Sequence, residues 1–370
     1  MKALTVNPTK KTLGILEVDE PGIVSPTQVK LHMLEAGVCG TDKEICAFDY
    51  GTPPDGCDYL ILGHESLGEV VEVGSAVSQL KKGDLIVPTV RRPCHDPHCV
   101  ACMAGRQDFC YTGNFTERGI KQQHGYMTEY VVDDQKYMNV IPREMRDFAI
   151  LVEPLTIAEK ALIQVWQVQE RLPWACEFEP GKPRNACHRA LVLGAGPVGL
   201  LGSMALANNG FEVFVYSKET VPNPKSQICD TIGAQYISAE TETVAQLAAR
   251  LGHIDLVYEA VGASNLAFEV MSVLGTNGVF VFTGVPGRKA PIEVDTDRLM
   301  RNMVLKNQVF FGTVNAGKQA FENAVTDLAE FYRRWPSAVK ALITGHFDMK
   351  DNAKLLLGQP GGIKNVLKLS

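Results

Sequence analysis

The chain has 370 residues, of which 45% are hydrophobic and 21% charged, so it is long enough for two hydrophobic cores and we expect two domains. Its formal net charge of -6 offers no basic stripe to attract phosphate backbones, so a nucleic-acid partner is disfavoured. Its hydrophobic runs fall far short of the roughly 20 residues of a membrane helix, and no hydrophobic segment follows the charges of MKALTVNPTKK. We therefore expect a cytoplasmic protein with no membrane partner.

The first 90 residues alternate short apolar runs with turn residues. These runs are ALTV, QVKLHMLEAGV, LGEVVEV and DLIVP, and few of them show helical periodicity. This pattern predicts a β-rich domain.

A candidate metal site lies within this β-rich region. Cys39 precedes Gly-Thr-Asp, and His64 and Glu65 follow a glycine about one strand and one loop later. A thiolate, an imidazole and a carboxylate together suit zinc best. Three alternatives stay open: a buried structural role for Cys39 and His64, a turn or capping role for Thr41, and a role for Glu65 in orienting His64 without touching the metal.

Four of the ten cysteines lie close together in the next segment. Cys94, Cys99, Cys102 and Cys110 have the spacing C-x4-C-x2-C-x7-C, and four thiolates so placed can close a tetrahedron around a structural zinc. The alternative is a set of free surface thiols. Other cysteines are expected to pack in the interior or lie on the surface, and these are Cys46, Cys57, Cys176, Cys187 and Cys229.

Residues 153–172 show helical periodicity with Pro154 near the start, which predicts a helix that links the two domains. An irregular stretch rich in proline and cysteine follows and delays the next strand to about His188.

The segment from His188 to Glu219 contains a nucleotide-binding pattern. An apolar strand leads into Gly194-Ala195-Gly196-Pro197-Val198-Gly199, a helix follows, and a second strand ends at Tyr216. Glycines at these three positions allow a tight turn and a close approach of backbone N–H groups to a pyrophosphate. Later strands and helices alternate, which predicts a parallel sheet.

The end of the second strand indicates which dinucleotide binds. Proteins that bind NAD usually carry an acidic residue there for the ribose 2′-hydroxyl. This chain carries Ser217 and Lys218 instead, a hydroxyl and a cation suited to a 2′-phosphate, and we therefore favour NADP over NAD. Lys218 could instead be a solvated surface residue, and Glu219 could turn inward and permit NAD as well.

These motifs together resemble the zinc-dependent medium-chain dehydrogenase/reductase superfamily, and most closely its glucose (aldose) 1-dehydrogenases. Local similarities are VRRPC at 90–94, GRQDFCYTG at 105–113, HGYM at 124–127, LVEPLTIAEK at 151–160 and GTVNAG at 312–317. The resemblance implies an α/β protein with a β-rich GroES-like catalytic domain, residues 1–155 and 316–370, and a doubly wound Rossmann domain, residues 156–315. It also implies a dimer or tetramer.

The resemblance further assigns site residues. The catalytic zinc would be held by Cys39 and His64, with Glu65 and Glu153 as exchanging or water-linked carboxylates. Substrate contacts would come from Thr41, Glu117, Glu153 and Asn315. Cofactor contacts would come from the residues of the glycine turn (194–199), from Ser217 and Lys218, and from Thr283, Gly284, Val285, Thr313, Val314 and Asn315. The first cysteine spacing is two residues longer than the family's usual x2, so His95 or His98 could replace Cys94.

The expected reaction is oxidation of an aldose at C1 to its lactone, with hydride transfer to NAD(P)+, a step in carbohydrate metabolism. Val90, Ile157 and Leu305 stand where a glucose enzyme can carry polar sugar contacts, so a polyol, a secondary alcohol or threonine stays open as the substrate. A protein that binds NADP without catalysis is the remaining alternative.

Overall fold

A computed structural model describes residues 1–174, 176, 185–287, 291–358 and 360–369. The chain forms two compact units. The first comprises Met1–Thr156, Asn315–Ala329 and Leu342–Ser370, and the second comprises Ile157–Val314 and Glu330–Ala341.

The strands of the described residues are, in chain order, β1 (Lys2–Asn7), β2 (Thr12–Glu17), β3 (Gln28–Gly37), β4 (Leu60–Ile61), β5 (Glu65–Val73), β6 (Leu85–Pro88), β7 (Arg91–Arg92), β8 (Thr116–Arg118), β9 (Gln122–Gln123), β10 (Tyr130–Asp134), β11 (Met138–Ile141), β12 (Arg189–Leu193), β13 (Glu212–Ser217), β14 (Gln235–Ser238), β15 (Leu256–Glu259), β16 (Val279–Phe282), β17 (Val309–Gly312), β18 (Ile343–Asp348) and β19 (Lys364–Lys368).

The α-helices are α1 (Gly40–Cys46), α2 (Val100–Met103), α3 (Val152–Gln169), α4 (Pro197–Asn208), α5 (Pro224–Ile232), α6 (Val244–Leu251), α7 (Ser264–Met271), α8 (Thr296–Leu305), α9 (Lys318–Arg334), α10 (Pro336–Leu342) and α11 (Asn352–Leu356). Within the described part of the chain, no helix has both the length and the hydrophobicity needed to cross a membrane.

The first unit is β-rich, as predicted. Its largest sheet has the strand order β11-β6-β5-β3-β19-β18, and β10 also pairs with β3. Val29, Leu31 and Met33 alternate along β3 and are fully buried, which is the period of a strand with one face on a core. Strand β3 pairs antiparallel with β5, with Gly37 opposite Glu65. This register brings the end of β3 and the start of β5 together, and Cys39 and His64 flank those two points.

The second unit is built on a parallel sheet with the order β14-β13-β12-β15-β16-β17. This is the 3-2-1-4-5-6 order of a doubly wound nucleotide-binding fold. Strands β12 and β15 are buried along almost their whole length, as expected for strands covered on both faces. The predicted fold class is therefore confirmed for both units.

Two expectations require correction. Residues 330–341 were expected in the catalytic domain but belong to the second unit, where Arg334 donates to the Asn208 side chain at 2.7 Å. Cys176 and Cys187, expected as separate packing or surface residues, form a disulfide. Most of the irregular stretch between them, residues 177–184, lies outside the described residues, as does residue 175.

Candidate active site

The predicted catalytic ligands meet in the first unit. Three possible ligand atoms lie within 4.8 Å of one another: the sulfur of Cys39, a ring nitrogen of His64 and a carboxylate oxygen of Glu65. His64 and Glu65 are buried, whereas Cys39 is partly exposed at the start of α1. A set of one sulfur, one nitrogen and one oxygen donor of this kind fits zinc.

Asp42 connects two of these residues and was not predicted as a site residue. One of its carboxylate oxygens accepts the Cys39 backbone N–H at 2.9 Å, and the other lies 3.4 Å from Nδ1 of His64. Asp42 is fully buried. Burial alone lowers the pKa of His64, but Asp42 and Cys39 outweigh this effect and raise that pKa well above its usual value. Neither Oδ1 of Asp42 nor Nδ1 of His64 has a hydrogen-bond partner among the described residues, so Asp42 acts on this nitrogen through its charge and leaves the other nitrogen of His64 for a metal.

Glu65 has a different partner from the one considered in the sequence. Lys364 Nζ donates to its two carboxylate oxygens at 2.7 and 2.5 Å and to the Val38 carbonyl at 3.2 Å. Both side chains are almost fully buried. Glu65 thus belongs to the ligand group but is neutralised by Lys364, and the carboxylate that faces His64 is that of Asp42.

Glu153 is buried near this group, at the second residue of α3. It is not one of the three residues whose ligand atoms lie within 4.8 Å. The pKa of Glu153 is raised to about 7, chiefly by burial and also by the neighbouring Glu65, while His64 and Lys364 act in the opposite direction. Together with Asp42 and Glu65 it forms a buried acidic cluster with one lysine, a charge balance that favours a dication.

The predicted substrate residues Glu117 and Asn315 are brought together within the first unit. Asn315 Nδ2 donates to Oε1 of Glu117 at 3.0 Å. Arg91 binds the same oxygen through Nε at 3.0 Å and Nη2 at 2.9 Å, and its guanidinium stacks on Phe115. The buried Oδ1 of Asn315 has no partner among the described residues. A buried acceptor without a partner indicates a place for a ligand donor.

Thr41, the other predicted substrate residue, lies beside the candidate ligand Cys39: its Oγ1 is 3.9 Å from the Cys39 sulfur.

The four cysteines of the lobe form one cluster. Their sulfurs lie within 4.8 Å of one another, a donor set that fits a closed structural zinc site. Cys94 is buried with Cys99 and Cys102 despite its longer spacing, and Cys110 is half-buried. Neither His95 nor His98 belongs to this cluster.

The glycine turn in the second unit has the predicted form. Gly194 has a φ of +98°, and its N–H donates to the Tyr216 carbonyl at 2.9 Å. Gly196 caps α4, and Pro197 occupies its first turn. A Cβ at Gly199 would collide with the Gly194 carbonyl, so helix and turn approach closely only with glycine there. The N-terminus of α4 thus faces a position where a pyrophosphate can bind.

Glu259, a residue not singled out in the sequence, holds the loop after β15 against the loop after β16, which was predicted to line the cofactor. Its carboxylate accepts the backbone N–H groups of Val261 at 2.9 Å, Gly262 at 2.6 Å and Gly284 at 3.1 Å. Its carbonyl accepts Thr283 Oγ1 at 2.7 Å. In the sequence, this role of Glu259 was indicated only by an acidic residue at the end of an apolar strand.

The neighbouring cofactor residues follow β16 and β17. Val285 and Val314 are largely exposed. Thr313 Oγ1 accepts from Gln164 at 2.6 Å, and Lys160 Nζ donates to the Val314 carbonyl at 2.9 Å. Ser217 and Lys218 lie at the end of β13.

Comparisons with known proteins agree with these two units. Residues 25–143 match the family described as alcohol dehydrogenase GroES-like domain, and residues 146–369 match glucose dehydrogenase C-terminus. The chain is 36% identical over 370 residues to a glucose 1-dehydrogenase of Methanocella arvoryzae, which covers 100% of this chain and 99% of the relative. It is 39% identical over 348 residues to a glucose 1-dehydrogenase of Thermoproteus tenax, covering 93% and 92%.

A solved structure is similar along the whole chain. The glucose dehydrogenase of Haloferax mediterranei, in complex with NADP, Zn and gluconolactone, superposes with a TM-score of 0.87 at 30% identity and covers 100% of this chain and 99% of its own. The chain therefore belongs to the glucose dehydrogenase family of zinc-dependent medium-chain dehydrogenases, as its sequence motifs predicted.

Proposed function

We propose that this protein oxidises glucose or a closely related aldose at C1, giving the lactone, and transfers the hydride to NADP+. The observation that carries the proposal is the convergence of Cys39, His64 and Glu65, within a chain whose relatives are named glucose 1-dehydrogenases. The relative from Haloferax mediterranei, which was solved with NADP, Zn and gluconolactone, supports the choice of cofactors and substrate.

Cys39 and His64 would hold the catalytic zinc, with Glu65 and Glu153 as the carboxylates beside it. When bound, zinc acts as a Lewis acid that lowers the pKa of the sugar O1 hydroxyl, and NADP+ supplies the hydride acceptor. Thr41 lies two residues from Cys39, and its hydroxyl would accept the O1 proton and pass it towards solvent. Asp42 keeps His64 in one orientation throughout.

Glu117 and Asn315 would accept hydrogen bonds from other sugar hydroxyls. Glu117 is already held by Arg91, so it does not need to reorganise when a sugar arrives. The unpaired Oδ1 of Asn315 gains a partner at the same time. Fixed acceptors of this kind favour a substrate with several hydroxyl groups.

The test is the initial rate of oxidation of D-glucose, D-galactose, D-xylose, sorbitol, threonine and a simple secondary alcohol, each with NADP+ and with NAD+. We expect aldoses to react fastest and with NADP+ preferred. Cys39→Ser should abolish turnover, and Cys57→Ser, which changes an exposed free thiol, is the matched control.

Two outcomes would contradict the proposal. Turnover of sorbitol, threonine or the alcohol far above every aldose would assign the protein to a sister activity, in keeping with the apolar Val90, Ile157 and Leu305. No turnover of any compound by zinc-loaded protein that binds NADP would favour a non-catalytic binding protein. The cytoplasmic location and the homo-oligomeric state expected from the sequence stay predictions.

A further inference from the structure

The carboxylate of Glu219 is occupied on both oxygens. Lys225 Nζ forms an ion pair with Oε1. Tyr236 Oη donates to Oε2 at 3.1 Å, and Ser217 Oγ donates to the same oxygen at 3.3 Å. Glu219 is the first acidic residue after β13 and could otherwise accept a hydrogen bond from a ribose hydroxyl. These contacts occupy its carboxylate instead.

These residues lie next to the glycine turn of the same unit. Leu193 and Tyr216 are paired in the parallel sheet, and the Gly194 N–H donates to the Tyr216 carbonyl. The Lys218 carbonyl accepts Ser238 Oγ at 3.3 Å, which ties the segment after β13 to the end of β14. In this fold the ribose 2′ position is bound at this edge of the sheet.

Lys225 has an unusual position for a lysine. It is the second residue of α5, and Asn223 caps that helix by accepting the N–H groups of Lys225 at 2.9 Å and Ser226 at 3.0 Å. The helix dipole disfavours a cation in the first turn. The pair with Glu219 compensates for this, and the cap fixes the backbone from which Lys225 reaches it.

Lys218 differs from Lys225 in its partners. Its side chain is exposed and makes no hydrogen bond or ion pair with any described residue. The segment after β13 therefore carries one neutralised acid and one free cation.

We propose that Lys225 and Tyr236 determine cofactor specificity by pairing the carboxylate of Glu219, which lies beside Ser217, so that Lys218 can bind a 2′-phosphate without a competing unpaired negative charge. This inference rests on the proposed NADP-dependent function and adds the residues that set the preference. Neither Lys225 nor Tyr236 needs to touch the cofactor; both act through Glu219.

The experiment measures binding of two adenosine fragments by calorimetry, adenosine 2′,5′-bisphosphate and AMP, to the full zinc-loaded chain. Lys225→Met releases Glu219. We expect binding of the bisphosphate to weaken about tenfold, the effect of one unscreened charge near a protein surface, while AMP binds as well or better. Tyr236→Phe, a smaller change, should move the ratio in the same direction.

The double variant Glu219→Gln/Lys225→Met separates the two possible roles of Lys225. If Lys225 acts through Glu219, removing the released charge restores binding of the bisphosphate. Arg333→Met is the control, because it breaks another exposed ion pair of the second unit, with Glu330, and should leave both affinities unchanged.

Two results would overturn the proposal. Equal weakening in the single and double variants would make Lys225 a direct phosphate ligand. If Lys225→Met left the ratio of bisphosphate affinity to AMP affinity unchanged, Glu219 would have no influence on binding of the 2′-phosphate. Because fragment binding does not require turnover, failure of the dehydrogenase proposal would appear separately, in the substrate assay.

Discussion

At the scale of single residues, Asp42 has the largest influence on the candidate metal site. One buried carboxylate contacts both the backbone of Cys39 and the ring of His64, so a change there alters two ligands at once. Carboxylates that orient a metal-bound histidine typically change metal affinity by 10–100-fold when mutated, that is, by about 1–3 kcal/mol.

We predict that Asp42→Asn weakens zinc binding at the catalytic site about 10–100-fold, because an amide neither balances the charge of the ligands nor fixes the ring of His64 in the same way. Competition with a chromophoric chelator would measure this. Asp84→Asn is the control: Asp84 also caps a backbone N–H, that of Lys81 at 2.9 Å, but in an exposed turn. Unchanged zinc affinity in Asp42→Asn would refute the role of Asp42.

Residue types alone identified Cys39 and His64, because few patterns other than a metal site combine them with these glycines. Residue types did not identify the side chains that contact these ligands, Asp42 and Lys364. Asp42 was visible as the fourth residue of Cys39-Gly40-Thr41-Asp42, and a capping pattern could have drawn attention to it. Lys364 lies 299 residues from Glu65, and no local signal connects them.

At the scale of elements, strand pairing explains why the ligands meet. Antiparallel β3 and β5 place Gly37 opposite Glu65, so the loop after one strand and the residue before the other share one end of the sheet. Alternating hydrophobicity predicted both strands. Their register depends on irregularities at Lys30/Leu31 and Met33/Glu35, where the pairing shifts, and the sequence carries no clear signal for these.

The cysteine lobe is an element held together mainly by its own sulfurs. Cys94, Cys99, Ala101 and Cys102 form a small buried cluster to which Cys110 adds, and α2 contributes only four residues. Such a segment has little hydrophobic core, so we expect bound zinc to supply most of its folding free energy.

We predict that Cys94→Ser removes about one equivalent of zinc and lowers the melting midpoint by about 5 °C or more, because each kcal/mol lost from a unit of this size lowers it by about 2–4 °C. Metal analysis and calorimetry would measure both. Cys57→Ser should change neither quantity. Full zinc content and an unchanged midpoint in Cys94→Ser would indicate that His95 or His98 completes the site.

At the scale of the whole molecule, the two kinds of chemistry are encoded in separate units. The candidate zinc ligands and the Glu117–Asn315 pair belong to the first unit, and the glycine turn and the residues after β13 belong to the second. Alternating strands and helices predicted this parallel sheet. Assignment of residues 330–341 could not be predicted, because α9 is one continuous amphipathic helix whose sequence does not change where the unit does.

This separation makes a prediction for hydrogen exchange. Adenosine 2′,5′-bisphosphate at 100 times its dissociation constant stabilises the binding unit by about 2.7 kcal/mol, so amides that exchange through opening of that site should slow by up to about 100-fold. We expect this at the amides of Gly194, Leu200 and Ala239, which hydrogen-bond around the glycine turn and the end of β13.

Chelation should act on different amides. Removing zinc should speed exchange in residues 94–110, where Met103 and Arg106 donate to the carbonyls of Cys99 and Ala101 within the lobe. Mass spectrometry of the same sample, with chelator or with nucleotide, provides the comparison and its own control. If the nucleotide left the glycine turn unprotected while slowing the lobe, the assignment of cofactor binding to the second unit would be wrong, because protection must be greatest where the ligand's own contacts close.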